Sequence, residues 1–315
     1  MELKEKEIAD KYLSEANQEP VTINAAAVLK LCQELDSYGQ QYGTASEIYL
    51  DYRSLDHDLL TKESTYQKAT RLLNDGKAKE AYSIYLSLKG YMDVDNLLLT
   101  DKALHAVKVK RERYSVGNTV SFGSYHTGKE KKAIEWIVLD VKDDQVLMIS
   151  KNVLDQKSYN TEREEPAWET CTLRKWLNND FINAAFTTAE QASIVTSTVK
   201  AKENLRWHTN AGKDTKDKVW LLSDSEVNTY FCDDTARKCQ TTDSKNSWWW
   251  LRSHGSNDRC AASVRSDGSL HRKGNHVYNT NGVRPALVIN LWNLESLNPD
   301  SSSTPSGVIC APEGA

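Results

Sequence analysis

The chain has no apolar run approaching the ~20 residues that a membrane-spanning helix requires, so no segment of it reads as a transmembrane span. Its first ten residues, MELKEKEIAD, are charged but lack the apolar stretch of a secretory signal. Cysteine is sparse and scattered. Cys32, Cys171, Cys232, Cys239, Cys260 and Cys310 form no CxxC pair, which argues against both a structural zinc site and a dense disulfide framework. Cys232 and Cys239 are close enough in sequence to meet, although small thiols in a reducing compartment are the simpler expectation. The net charge of −4 leaves no global nucleic-acid footprint. Neither nucleic acid nor membrane is therefore expected as a partner.

Tryptophan, by contrast, is abundant. Nine Trp in a 315-residue chain with 27% charged residues describe a globular protein with material for a sizeable core and two domains. Charge is unevenly spread. Residues 1–100 hold 11 Lys/Arg against 17 Asp/Glu, whereas residues 252–284 hold six Lys/Arg against two Asp. The second stretch predicts a preference for acidic ligands.

Residues 1–112 read as helices. AAAVLKLCQEL sets Ala27, Leu31 and Leu35 at four-residue spacing, with Val28 and Cys32 alongside. Further on, Tyr66, Ala69, Leu72 and Leu73 form one apolar stripe and Ala78, Ala81, Tyr82, Tyr85 and Leu88 another, with Gly76 between them. Two amphipathic helices about a glycine turn make an αα-hairpin. The unit resembles a tetratricopeptide-type pair, with Ala69 and Ala81 permitting close helix approach, and a plain helical bundle fits equally well. Either would serve docking or self-association.

Near Arg113 the pattern becomes β-branched and aromatic. NTVSFGSY, AIEWIVLDV and QVLMIS read as strands. Thr172 is placed to cap a helix with inner face Leu173, Trp176 and Leu177. Thr187 with Glu190 and Ser223 with Glu226 form capping boxes. Residues 201–217 read as a polar loop, and the Ser/Pro/Gly-rich tail 295–315 as disordered. The expected fold class is α+β: the helical module 1–112, then a domain over 113–294 with short antiparallel strands, two to three helices and long loops.

The stretch between Trp248 and Leu291 carries the functional signal. In SVRSDGSLH, a three-residue loop with Gly268 in the left-handed conformation sets Val264 opposite Leu270, Arg265 opposite Ser269 and Ser263 opposite His271. Ser263, Arg265, Ser269 and His271 are then expected to project from the surface. Residues 254–281 contain no Glu, Gln, Met or Trp and a single Lys. Their recurring types are those reachable from an Asn codon by changing its first two adenines.

Residues 117–291 resemble a bacterial and phage family of C-type-lectin-fold domains, including variable proteins of diversity-generating retroelements. The matching pieces are VSFGSY, IEWIVL, LRKWLNNDF, AAFTTAEQASI, LLSDSEVNTYF, WWWLRS and NGVRPALVINL. The resemblance implies a C-type-lectin-like fold whose segment between the last two pieces is rewritten to change ligand. Positions carried over to that variable face are His254, Ser256, Asn257, Asp258, Arg259, Cys260, Ser263, Arg265, Ser266, Ser269, His271, Arg272, Asn275, His276 and Tyr278. Trp248, Trp249, Trp250, Arg252 and Arg284 would form the floor, the arginines paired with carboxylates. At least two of the three Trp belong in a core, because alternation sends neighbours to opposite faces, and Trp249 is either the exposed one or packed under a loop.

The function implied is non-catalytic binding of a protein or surface glycan, in the cytoplasm or a phage particle. Residue types at such a face match those of antibody paratopes. No clustered carboxylates accompany it, so calcium is not implied, and no cofactor is expected. The alternative is an enzyme of the formylglycine-generating or a hydrolytic class, using Cys260 or the His271, Arg272 and His276 group at the same face.

Overall fold

The computed structural model describes residues 47–127, 130–162, 166–204, 206–209, 211–294 and 304–305. The helix expected around Ala27 to Leu35 lies outside them. The chain divides into two compact units, Met1–Glu112 and Arg113–Ala315. Among the described residues, no helix is long and apolar enough to cross a membrane.

The first unit contains α1 (Glu47–Asn74), α2 (Ala78–Ser87), α3 (Val94–Thr100) and α4 (Lys102–Arg113). Gly76 ends α1 at a φ of +75°, a conformation that costs glycine little. Lys77 N–H donates to the Leu72 carbonyl and Gly76 N–H to that of Leu73, the paired bonds of a Schellman stop. Ala69 and Ala81 are fully buried. Beside them the Tyr85 ring meets Tyr66 edge-on.

The second unit is mixed α/β. Its strands are β1 (Asn118–Thr127), β2 (Glu130–Lys142), β3 (Gln145–Ser150), β4 (Asp155–Ser158), β5 (Ser197–Val199), β6 (Thr215–Asp217), β7 (Val219–Trp220), β8 (Trp249–His254), β9 (Cys260–Val264), β10 (Leu270–His276), β11 (Thr280–Val283), β12 (Ala286–Asn290) and β13 (Thr304–Pro305). They build a six-stranded sheet in the order β13-β1-β2-β3-β12-β7, a five-stranded sheet in the order β10-β9-β8-β11-β4, and the pair β5-β6. Pairing is antiparallel except between β11 and β8. β13 pairs with β1 through Asn118 and Thr119, so Thr304–Pro305, read from sequence as part of a disordered tail, form a strand.

Helices close the sheets. Thr172–Trp176 (α5) runs through one wider turn at Leu177–Phe181 into α6 (Ile182–Ala185), followed by α7 (Thr188–Ser193), α8 (Asp224–Tyr230) and α9 (Asp234–Arg237). The cap of α5 is Cys171, whose sulfur accepts from Arg174 N–H, and not Thr172. Thr172 instead accepts from Thr161 N–H. Both capping boxes, Thr187 with Glu190 and Ser223 with Glu226, are present.

The first turn of α8 fastens the five-stranded sheet. Glu226 pairs with Arg252 of β8, which is nearly fully buried. Asp224, with no exposed surface, accepts from Arg272 Nε of β10 at 2.9 Å. Its N–H donates to Ser253 Oγ of β8. Trp249 and Trp250 are both fully buried. Trp249 packs on Phe231 and under the Arg284 guanidinium, and Trp250 on Tyr159. Both faces of β8 are covered, so the partly exposed member of the Trp run is Trp248 and not Trp249. Arg284 also departs from expectation. Among the described residues it has no carboxylate partner. Its Nε donates to the Ser150 carbonyl, and its guanidinium lies over two aromatic rings, 4.9 Å from Trp249 and 5.2 Å from Phe231.

Two predictions follow from this packing. Gly268 has a φ of +88°, and a Cβ there would lie 1.6 Å from the Asp234 carbonyl oxygen. Gly268→Ala should lower stability by about 3 kcal/mol, measured by urea unfolding. Burial alone would raise the Glu226 carboxyl, but Arg252 and Ser223 outweigh it and hold its pKa below the usual 4.5. The stability this provides is fully present above the unfolded-state value and is lost as pH falls through the lower folded value. The urea midpoint should therefore fall as the pH drops below about 4.5, and Glu226→Gln should flatten that decline.

Candidate ligand-binding face

β9 and β10 form the hairpin that carries most of the face. Leu270 lies opposite Val264 and His271 opposite Ser263. Arg265 N–H donates to the Ser269 carbonyl, and Gly268 N–H to that of Arg265. This is the register predicted from burying Val264 with Leu270. The turn packs on α9, where Arg237 Nε donates to the Gly268 carbonyl.

Exposure divides the sequence-derived positions. Asn257, Arg259, His276 and Tyr278 are exposed, and Ser256, Asp258, Arg265, Ser266, Ser269, His271, Arg272 and Asn275 are half-buried. The loop after β8 carries the 256–259 group, the hairpin turn carries Arg265, Ser266 and Ser269, and β10 with its following turn carries the rest. His276 stacks on Tyr278 with ring centres 5.3 Å apart.

Three positions expected at the surface are buried: His254, Cys260 and Ser263. Cys260 and Ser263 lie on β9, between β8 and β10, where all five residues are buried, and His254 ends β8, between β9 and β11, where all six are. Ser263 sits directly opposite Trp250. Its hydroxyl lacks a hydrogen-bond partner. His254 Nδ1 lies 3.5 Å from Asp258. Burial lowers the pKa of its imidazole against the opposing pull of that carboxylate. Cys260 Sγ lies 3.9 Å from His276 Nδ1, and burial raises its thiol pKa. Arg272 is half-buried but committed to Asp224. Cys232 and Cys239 do not meet: Cys239 is a free, buried thiol, whereas Cys232 is disulfide-bonded.

Two clefts open on this face. The first, about 540 Å³, runs along β10, the edge strand of its sheet, and gathers Arg265, His271, Arg272 and Lys273 with Arg206 and Trp207. The second, about 620 Å³, is uncharged and amide-rich, with Gln156, Asn246, Asn275, Asn279 and Asn281 around Trp248. The Asn281 amide nitrogen is buried without a partner. Trp248 bridges the two, since its ring meets His271 edge-on at 5.5 Å.

Asn204, Arg206 and Trp207 lie in the segment that reads only as a polar loop. Asn204 is fully buried. Its amide donates to the His254 carbonyl of β8 at 2.7 Å and the Arg272 carbonyl of β10 at 2.9 Å. Its side-chain oxygen accepts from the N–H groups of Arg206 and Trp207. Thr209 adds a bond to the Gly255 carbonyl. One asparagine thus pins the far wall of the first cleft onto two strands. The only sequence sign was a Trp beside an Arg in a polar stretch.

Among the described residues, no group of three or more His, Cys, Asp or Glu is arranged to hold a metal ion. Residues 143–291 match a family model described as a domain of unknown function, DUF6273. That span takes in β8 to β12 and both clefts. No curated protein and no solved structure matches the chain.

Proposed function

We propose that the second unit is a non-catalytic ligand-binding domain of C-type-lectin-like fold, displaying an exchangeable face as the target protein of a diversity-generating retroelement. The observation that carries this reading is the division within one sheet. Polar side chains edge two open clefts, while β8 and β9 in the same sheet are buried throughout and α8 braces β8 and β10. Surface substitutions on such a frame usually change stability by less than about 0.5 kcal/mol, so ligand chemistry can vary without unfolding the domain. The exchangeable set is narrower than the sequence implies, because His254, Cys260, Ser263 and Arg272 belong to the frame. The helical residues 1–112 would dock or self-associate, and a protein or surface glycan would be the target.

A second reading rests on one contact, the Cys260 and His276 pair at 3.9 Å. A hydrolytic or oxidative cysteine needs a thiolate. Here burial raises the thiol pKa, and the His276 ring is stacked on Tyr278.

The coding DNA tests the display reading: a nearby repeat of this segment, differing at adenines and beside a reverse transcriptase gene, is expected, and its absence removes the retroelement role. Urea unfolding tests the frame. Ser266→Ala and His276→Ala should each change stability by less than about 0.5 kcal/mol. Arg272→Ala should cost about 3 kcal/mol by taking the guanidinium away from the buried Asp224 carboxylate, and Ser263→Arg at least about 2 kcal/mol by overpacking. Iodoacetamide should modify Cys260 slowly at neutral pH and faster as pH rises; rapid alkylation near neutrality would instead favour the enzyme.

A further inference from the structure

We propose that the cleft between the Arg206–Trp207 segment and β10 binds a compact ligand bearing a phosphate- or sulfate-type oxyanion. The proposal rests on the reading of this face as a binding surface and names the chemistry it would take.

The charges lining the cleft are unequal in kind. Arg272 is neutralised by Asp224. Arg206, Arg265 and Lys273 make no ion pair among the described residues. The acidic group on the hairpin, Asp267, is bonded to the N–H and hydroxyl of Ser269 and offsets part of the Arg265 charge without an ion pair. Arg265 donates to the Ser269 hydroxyl and lies 5.6 Å from the centre of the Trp248 ring. Bringing cations that lack ion pairs around one concavity is unfavourable until an anion enters it. Guanidinium forks suit oxyanions, which accept from two N–H groups at once.

Two further features mark a formed site. His271, on the same hairpin wall as Arg265 and Lys273, has an Nδ1 that is buried without a hydrogen-bond partner. Burial, then the charges of Arg265 and Lys273, lower its pKa. The opposite wall is held by Asn204, with both amide donors and its acceptor oxygen engaged. Trp207, with the Arg206 guanidinium 4.9 Å from its ring centre, and Leu270 offer apolar surface for the body of the ligand. A volume of about 540 Å³ suits a small molecule or one to two sugar units.

Isothermal titration calorimetry on the full chain tests this with inorganic pyrophosphate, galactose 6-sulfate and, as a neutral control, galactose. At low ionic strength one or both anions should bind at a single saturable site with a Kd of about 1 mM or tighter, and galactose should bind more weakly than either. Preference for pyrophosphate or for the sulfate ester identifies the source, and both results support the site. The R206A/K273A variant, which alters two exposed side chains, should retain the urea midpoint and bind at least about tenfold more weakly. If that midpoint moves, Lys273→Glu alone carries the same expectation. No saturable binding of either anion, or binding that these variants leave unchanged, overturns the proposal. A gene lacking the adenine-variant repeat removes the display reading while leaving this result standing, so the two fail separately.

Discussion

The face depends on one structural device: the first turn of α8 carries two carboxylates, and each is met by an arginine from a different strand. Glu226 takes Arg252 of β8 and Asp224 takes Arg272 of β10. Neither pair is a simple gain in stability, because removing two charges from water costs about as much as their attraction returns. Their effect is positional. A buried carboxylate without its guanidinium is so unfavourable that β8 and β10 have one permitted placement relative to the helix. Ser253, accepting from Asp224 N–H, fixes the same turn from the next residue of β8.

This brace separates charges that look alike in the sequence. Arg265, Arg272 and Lys273 lie within nine residues and all line one cleft. Arg272 is consumed by the fold, whereas Arg265 and Lys273 remain available to a ligand. Counting basic residues therefore overstates the charge the cleft presents, and the sheet edge rather than the composition decides which cations act. The same reasoning removes His254, Cys260 and Ser263 from the exchangeable set. Substituting a larger side chain at any of them places it against a neighbouring strand.

The sequence made local chemistry legible. The hairpin register followed from pairing Val264 with Leu270, and the two capping boxes from a hydroxyl three residues before Glu. What stayed hidden was non-local. Period-two alternation marks opposite faces of β9 but does not say that both are covered, which depends on β8 and β10 and on the indole of Trp250. The Cys171 cap was missed because sulfur is an uncommon acceptor, and Thr172 is the residue type that usually caps. Asn204 was illegible for a stronger reason: its partners are His254 and Arg272, 50 and 68 residues away, and nothing local distinguishes it from other loop asparagines. β13 was equally hidden, since its two residues sit in a Ser- and Pro-rich tail.

The acidic balance of the whole chain does not oppose an anion at this face. At physiological ionic strength charges are screened over about 8 Å. A ligand in the cleft is governed by the groups that line it, and only weakly by acidic residues elsewhere in the chain. Lining the cleft are Arg265 and Lys273 on the strand side and Arg206 on the pinned segment, with Arg272 already matched. The amide cleft on the other side of Trp248 has no charge at all among its lining residues. A single tryptophan therefore divides a region suited to oxyanions from one suited to hydroxyls and amides, and a ligand carrying both would span it.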